Sequence, residues 1–363
     1  MKRLVIIEPN LRTPSGHYAE YVRALGMHTK EMPVDVFAHP DADTLLEGIP
    51  GVSPCRDSLR VGAPLAEWRM INRCVTGENP FLILTADGRH ALAVSLAAAL
   101  TGRTPHQARL YFHWIPSGPQ DAILHRLSRA AREHALAIVP TEAIASGLRK
   151  MGWQRVAYVP YPAFGPENPP EPQSFQRLLV AGAARANKGL DLIVGLAERW
   201  AGEGRSIPLL VQASTKHAQR HGRREVVLVE TLLSSGYRGL QADDRAPERT
   251  EYIARFRGSL VLAPYERERF AHAVSGVVLD ALLHGAPVIA TRGTWPGAQV
   301  ERFGAGLTID NRTPQELSDA IDTVLADWSV YAERAVNAAT ILAREHDPRI
   351  LLALLCRQKG ATE

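Results

Sequence analysis

The sequence predicts two doubly wound α/β domains in tandem. Short apolar, β-rich runs alternate with helical patterns along the chain, and the pattern stops at a proline-rich break before starting again. The length, 363 residues, also exceeds what a single hydrophobic core usually organises, about 250–300 residues.

In the first half the strand candidates are 4–8, 34–38, 81–84, 109–113, 137–139 and 156–159, with helices near 17–25, 90–100, 121–134 and 142–151. The segment 161–172, YPAFGPENPPEP, carries five prolines and a glycine. Such a run excludes regular structure and reads as a linker. The alternation resumes with the strand RLLVAG at 177–182, a helix near 189–204 and strands at 207–212 and 226–229. It continues through helix 249–256, strand 259–263, helix 276–283, strands 287–290 and 306–309 and helix 314–328. From 331 to 356 the chain reads as helical, broken at Asp347-Pro348, because proline disfavours a helical residue before it. The expected division is therefore 1–164, 165–340 and a helical tail, 341–363.

Hydrophobic residues make up 45% and charged residues 22%, which excludes a disordered or collagen-like chain. Cys55, Cys74 and Cys356 lack the paired spacing of a zinc site or a disulfide framework. The expectation is a cytoplasmic protein that touches the membrane, if at all, only at its inner face. The longest apolar stretches, such as 91–100, are much shorter than the ~20 residues of a membrane span. A formal charge of +4 suits anionic lipid, an acidic glycan or plain solubility, while the dispersed arginines argue against nucleic acid.

Open α/β sheets bind ligands beyond the carboxyl ends of their strands, so the post-strand loops carry the information. After the first strand, Gly16 would let the chain approach a ligand and open a helix whose amides attract anions, although a simple turn explains it as well. After RLLVAG the loop reads Gly182-Ala183-Ala184-Arg185-Ala186-Asn187-Lys188-Gly189 and leads into the helix beginning LDLIVGLAERW. Two cations at a helix N-terminus oppose the helix dipole, and a phosphate or diphosphate between them would resolve the conflict. A solvated charged loop is the plainer alternative.

From Leu260 to Gly306 a buried strand ends at Pro264-Tyr265, Ser275-Gly276 opens the apolar helix VVLDALL, and Gly285 stops it before PVIAT. Asp280, the one carboxylate on that helix, is placed either to accept bonds from sugar hydroxyls or simply to face solvent. The acidic pairs Asp41/Asp43 and Asp243/Asp244 are read as solvated loops, so no metal site is expected.

Together these residues resemble the GT-B glycosyltransferases, in particular the family-4-type retaining enzymes that use nucleoside-diphosphate sugars. The resemblance is clearest from Leu178 to Asp310. It implies the GT-B fold, two Rossmann-like domains facing across a cleft, with the acceptor on the first and the donor on the second. Arg185 and Lys188 would hold the donor diphosphate, and Gly16, Gly182, Gly189, Tyr265, Ser275, Gly276 and Asp280 would line the donor site, Asp280 standing where the group has a ribose-binding glutamate. His113 matches a histidine placed beside the donor sugar. His272 stands at the earlier position of the group's Glu-x7-Glu pair, the glutamate that touches the donor sugar, so Arg269, Glu268 or Phe270 would take over that contact.

The implied reaction moves a sugar to a glycan, glycolipid or other hydroxyl acceptor in glycan or cell-surface polysaccharide synthesis, with retention and without metal or other cofactor. Catalysis would rest on stabilising the departing diphosphate. Arg69 and Arg73 with Trp68 on a helix at 65–75, and Arg126, Arg129 and Arg132 on one at 125–134, suggest contact with anionic membrane, unless Trp68 and Met70 are core. A silent GT-B subunit that binds a partner enzyme, or a nucleotide-sugar epimerase, remains open as an alternative.

Overall fold

The structure, a computed structural model, describes residues 3–12, 17–26, 33–55, 64–115, 118–213, 223–245 and 247–356. It divides into two units, Met1–Phe164 with His346–Glu363, and Gly165–Glu345.

In the first unit β1 (Leu4–Ile7), β2 (Val34–Phe37), β3 (Val52–Pro54), β4 (Phe81–Ile83), β5 (Ala108–Tyr111), β6 (Leu136–Val139) and β7 (Val156–Tyr158) form a sheet ordered β3-β2-β1-β4-β5-β6-β7. Every described pairing in it is parallel. Parallel strands buried on both faces read as continuous apolar runs, and Phe81, Leu82 and Ile83 are all buried. The helix Gly88–Thr101 lies over this sheet through Ala91, Val94 and Ala97, small side chains that let its backbone come close. Asp87 caps that helix by accepting from the amides of Arg89 and His90, at 2.9 and 3.3 Å. The helix read at 121–134 is two, Pro119–Leu127 and Arg129–His134, separated at Ser128.

The expected terminal tail joins the first unit from His346 onward. His346 Nδ1 lies 2.6 Å from the Tyr161 carbonyl, and the Ala163 amide donates to the His346 carbonyl at 2.9 Å. The final helix, Pro348–Cys356, packs on the helix His17–Gly26.

In the second unit β8 (Arg177–Val180), β9 (Leu209–Gln212), β10 (Leu240–Asp243), β11 (Ser259–Ala263), β12 (Val288–Thr291) and β13 (Gly306–Ile309) form a parallel sheet ordered β10-β9-β8-β11-β12-β13. Its core centres on Trp200, which is fully buried and donates from Nε1 to Ser318 Oγ at 2.9 Å.

One expected element changes type. The run 226–229, read as a strand, lies in a helix, Arg223–Ser234. Val229 and Leu232, three residues apart, are buried against the helix Leu190–Gly202, while Val227 and Leu233 are exposed. That is helical spacing, and packing overrides the β propensity of valine. The strand paired with β9 is instead the half-exposed edge LQAD of β10.

Each strand order reverses once beside the first strand of its unit, at β1/β4 and at β8/β11. At such a point the post-strand loops diverge and leave a crevice for ligand.

Candidate active site

In the second unit the two motif-bearing loops follow β8 and β11, on either side of this reversal. After β8, Gly182 takes φ +81°, and its amide donates to Gln212 Oε1 at the end of β9, at 2.9 Å. Arg185 then precedes a 3-10 turn, Ala186–Lys188, and its carbonyl accepts from the Lys188 and Leu190 amides at 3.0 and 3.2 Å.

Gly189 joins this turn to the helix Leu190–Gly202 at φ +82°. A Cβ there would lie 2.5 Å from the Pro264 carbonyl oxygen and 2.6 Å from Pro264 Cγ. Glycine is therefore required twice, for its backbone angle and for the close approach. The Glu266 amide donates to the Asn187 carbonyl at 3.0 Å, so backbone bonds stitch the two loops together.

The side chains converge on Lys188. Its Nζ lies 5.6 Å from the centroid of the buried Tyr265 ring. A Cβ on Gly182 would stand 3.6 Å from that Nζ and 3.0 Å from Val277 Cγ2, which places the amine near the start of the helix Gly276–Leu283. Ser275 caps this helix by accepting from the Val278 amide at 3.3 Å, and a Cβ on Gly276 would meet nothing within 4 Å. Burial, and then the charge of Arg185, push the Lys188 amine down to about 8. No carboxylate pairs with Lys188 among the described residues.

Cations, an open helix N-terminus and a glycine-shaped turn thus meet at one strand reversal, an arrangement suited to a phosphate or diphosphate. Asp280, on the same helix, accepts from the Tyr252 hydroxyl at 3.0 Å. Burial, and then the adjacent carboxylate, push that phenol well above its ordinary value. Arg269 and His272 are exposed on the segment after β11. Phe270 packs on Tyr265 with ring centroids 4.5 Å apart.

His113 belongs to the first unit. It is buried at the end of β5, with Nε2 2.9 Å from the Leu84 carbonyl and its ring against Tyr111, Tyr21 and Trp114. Gly16 lies outside the described residues.

No group of His, Cys, Asp or Glu among the described residues could hold a metal ion. Asp41 and Asp43 are exposed around a 3-10 turn, and Asp243 pairs with Arg255.

Sequence reasoning passed over several polar residues at strand ends. Glu8, at the β1/β4 reversal, is buried and accepts from Thr85 Oγ1 at 2.6 Å and the Asn10 amide at 3.1 Å. Burial raises its pKa against those two bonds. Its signal was a glutamate closing an apolar strand. His90 lies 2.7 Å from Asp87 and 2.8 Å from Glu67. Burial would lower its pKa, but those two hydrogen bonds outweigh it and push His90 up to about 9. Gln212 and Tyr252 had no signal in the sequence.

No family model and no curated protein matches the sequence. Solved structures do match it along nearly its whole length. HepE of Anabaena, solved with UDP and glucose, is similar with a TM-score of 0.69 at 16% identity, covering 98% of this chain and 99% of that one. The sucrose-phosphate synthase of Thermosynechococcus elongatus matches with a TM-score of 0.70 at 17% identity, covering 98% of each chain. The UDP-forming α,α-trehalose-phosphate synthase of Burkholderia vietnamiensis matches with a TM-score of 0.67 at 13% identity, covering 98% and 99%. With its two parallel sheets and this likeness across both units, the chain has the GT-B fold that these structures share.

Proposed function

We propose that the chain transfers a sugar from a nucleoside-diphosphate sugar, with UDP as the nucleotide to test first, to a hydroxyl acceptor in glycan or polysaccharide synthesis. One observation carries this reading: Arg185 and Lys188 sit on a backbone-stitched turn at a helix start, and Lys188 has no carboxylate partner among the described residues. The fold neighbours solved with UDP or UDP-glucose support the choice of nucleotide.

In the proposed reaction the bond from the anomeric carbon to the diphosphate breaks as the bond to the acceptor oxygen forms. The acceptor's proton passes to the leaving diphosphate, and the configuration is retained. Arg185, Lys188 and the amides of the Gly276–Leu283 helix stabilise charge on the departing oxygens, a preorganised role that needs no protein nucleophile or metal. Asp280 and Ser275 serve the nucleotide side, and Arg269 and His272 the sugar.

The test is a thermal-shift panel of nucleotides and nucleotide sugars on the wild type, Arg185→Ala and Lys188→Ala, with turnover measured beside it. A ligand that binds only the native state raises Tm by mass action. UDP should stabilise the wild type. Each alanine variant should keep its fold and lose ~1.5–3 kcal/mol of binding or transition-state stabilisation. Wild-type turnover in both variants would sink the diphosphate assignment. Binding without transfer or hydrolysis would favour a silent subunit.

The proposed acceptor is lipid-linked, reached from anionic membrane through the first unit. Leu96 and Leu127 line one groove of about 290 Å³, with Leu100 and Ile123 exposed one turn away and Arg103 and Arg126 exposed beside them. An apolar patch edged by cations suits an anionic headgroup layer. Arg69, Arg73 and Arg129 are exposed too, whereas Met70 is core and Arg132 donates to the Met151 and Arg126 carbonyls. No helix among the described residues is long and apolar enough to cross a membrane. Co-sedimentation with anionic but not neutral vesicles, weakening as salt rises, is expected; equal recovery in both supernatants would point to a soluble acceptor.

A further inference from the structure

We infer that Tyr265 is a positioning residue for Lys188: its ring is a fixed platform that seats the amine against Gly182 at the start of the Gly276–Leu283 helix. The inference rests on the reading of Lys188 as a diphosphate ligand, and it adds a role for a residue that does not itself touch the reacting atoms.

The platform is immobile for reasons visible in its backbone. The Pro264 carbonyl before it accepts from Arg312 Nε at 3.0 Å, the Tyr265 amide donates to Ala263 at 2.8 Å, and the Glu266 amide after it donates to Asn187 at 3.0 Å. The ring is 2% exposed and packs on Phe270. Lys188 is held from its own side by the hydrogen bond its amide donates to the Arg185 carbonyl and by Gly189, which fits only because it lacks a Cβ against Pro264. The two residues are thereby clamped at the strand reversal, and the geometry leaves Nζ over the ring face at 5.6 Å.

The choice of an aromatic face has a chemical reason. Around Nζ stand the Arg185 cation, the Gly182 backbone, Val277 and Tyr265, with the Ser275 hydroxyl near the phenol. Among these groups the ring face attracts a cation through its quadrupole. A carboxylate in its place would occupy the ammonium hydrogens and would have to be displaced by an incoming diphosphate. A π face holds the charge and leaves three N–H donors for the ligand. Burial and Arg185 both work against the charged amine, which stands at about 8, so the ring opposes a real tendency to deprotonate.

The experiment is NMR titration of the lysine 13Cε signals in the ligand-free full chain, with Lys188 assigned by its loss in Lys188→Arg. Tyr265→Phe keeps the ring and should leave the Lys188 midpoint in place. Tyr265→Leu should lower the midpoint by roughly one unit. Replacement of Tyr265 by pentafluorophenylalanine keeps an aromatic shape and reverses the quadrupole, so it should act like leucine even if Tyr265→Leu does not fold. In calorimetry the fluorinated protein should bind UDP more weakly than Tyr265→Phe, losing affinity first on the alkaline side. A Lys188 midpoint that is the same with phenylalanine and its fluorinated analogue overturns the inference. If wild type binds no UDP, the diphosphate reading falls, and the ligand-free titration still decides whether Tyr265 sets the state of Lys188.

Discussion

Replacing Gly189 by alanine perturbs the candidate site at a single backbone position, and Gly204→Ala provides a matched control. Both glycines have positive φ, +82° and +70°. A Cβ on Gly204 meets nothing within 4 Å, whereas one on Gly189 meets the Pro264 carbonyl at 2.5 Å. The conformational cost is shared, ~1–2 kcal/mol for a left-handed L-residue, offset by about 0.4–1 kcal/mol from the stiffer unfolded chain. Gly189→Ala adds an overpacking term of ~1–3 kcal/mol, because the neighbour is backbone and cannot rotate away. The two variants should therefore differ by about 2–12 °C in Tm, at ~2–4 °C per kcal/mol for a unit of this size. The clash also has a functional consequence. Relieving it pushes Pro264 and Tyr265 away from the turn that holds Lys188, so UDP affinity should fall in Gly189→Ala and not in Gly204→Ala. Scanning calorimetry reads the first difference and titration calorimetry the second. Equal melting temperatures with unchanged UDP affinity would refute the close-approach argument and the coupling of the two loops.

Three further outcomes follow from the same geometry. With Lys188 at about 8, its charge is largely present at pH 7 and largely lost at pH 9, so UDP affinity should fall about tenfold between them; Lys188→Arg should flatten that profile, and a flat wild-type profile would show that the amine is not a ligand. Activity should survive excess EDTA, since two cations and helix amides serve the diphosphate; complete loss restored by Mn²⁺ or Mg²⁺ would return attention to Asp41 and Asp43. His90, raised to about 9 from an unfolded value near 6.5, contributes stability that is fully present below about pH 6.5 and is lost as pH rises through about 9, on the order of 2–4 kcal/mol. The first unit's transition should therefore fall over that window in wild type and stay flat in His90→Gln, and parallel curves would count against the buried imidazolium.

Local chemistry was legible in the sequence. The turn from Gly182 to Gly189, the cap at Ser275 and the break at Asp347-Pro348 each declare themselves through residues whose conformational limits act within a few positions. The apolar runs of β8, β11 and β12 were equally plain, because both faces of those strands are buried. Edge and surface elements failed for the converse reason. LQAD in β10 is only half-buried and carries no strand signature, while the valines at 226–229 carry one that their helical packing overrides.

What local pattern does not encode is the neighbour supplied by sheet order. Nothing near Lys188 in sequence announces Tyr265; the two meet because β8 pairs with β11 at the reversal, so the loops after both strands open onto one crevice. The same holds for Asp280 with Tyr252, and for His90 with Glu67. In each case a charge that reads as surface in isolation gains a partner from another element. Asp280 illustrates the cost of judging a residue from its helix alone: a solvated aspartate and a sugar ligand are equally cheap readings, yet the fold gives it a bond from the Tyr252 phenol. Asp280 stands where the family resemblance implies a ribose-binding glutamate, and its shorter carboxylate accepts from the Tyr252 hydroxyl. If it serves the ribose, Tyr252→Phe should weaken UDP binding more than it weakens binding of inorganic pyrophosphate, which has no ribose to hold, and equal losses for the two ligands would place Asp280 outside the nucleotide contact.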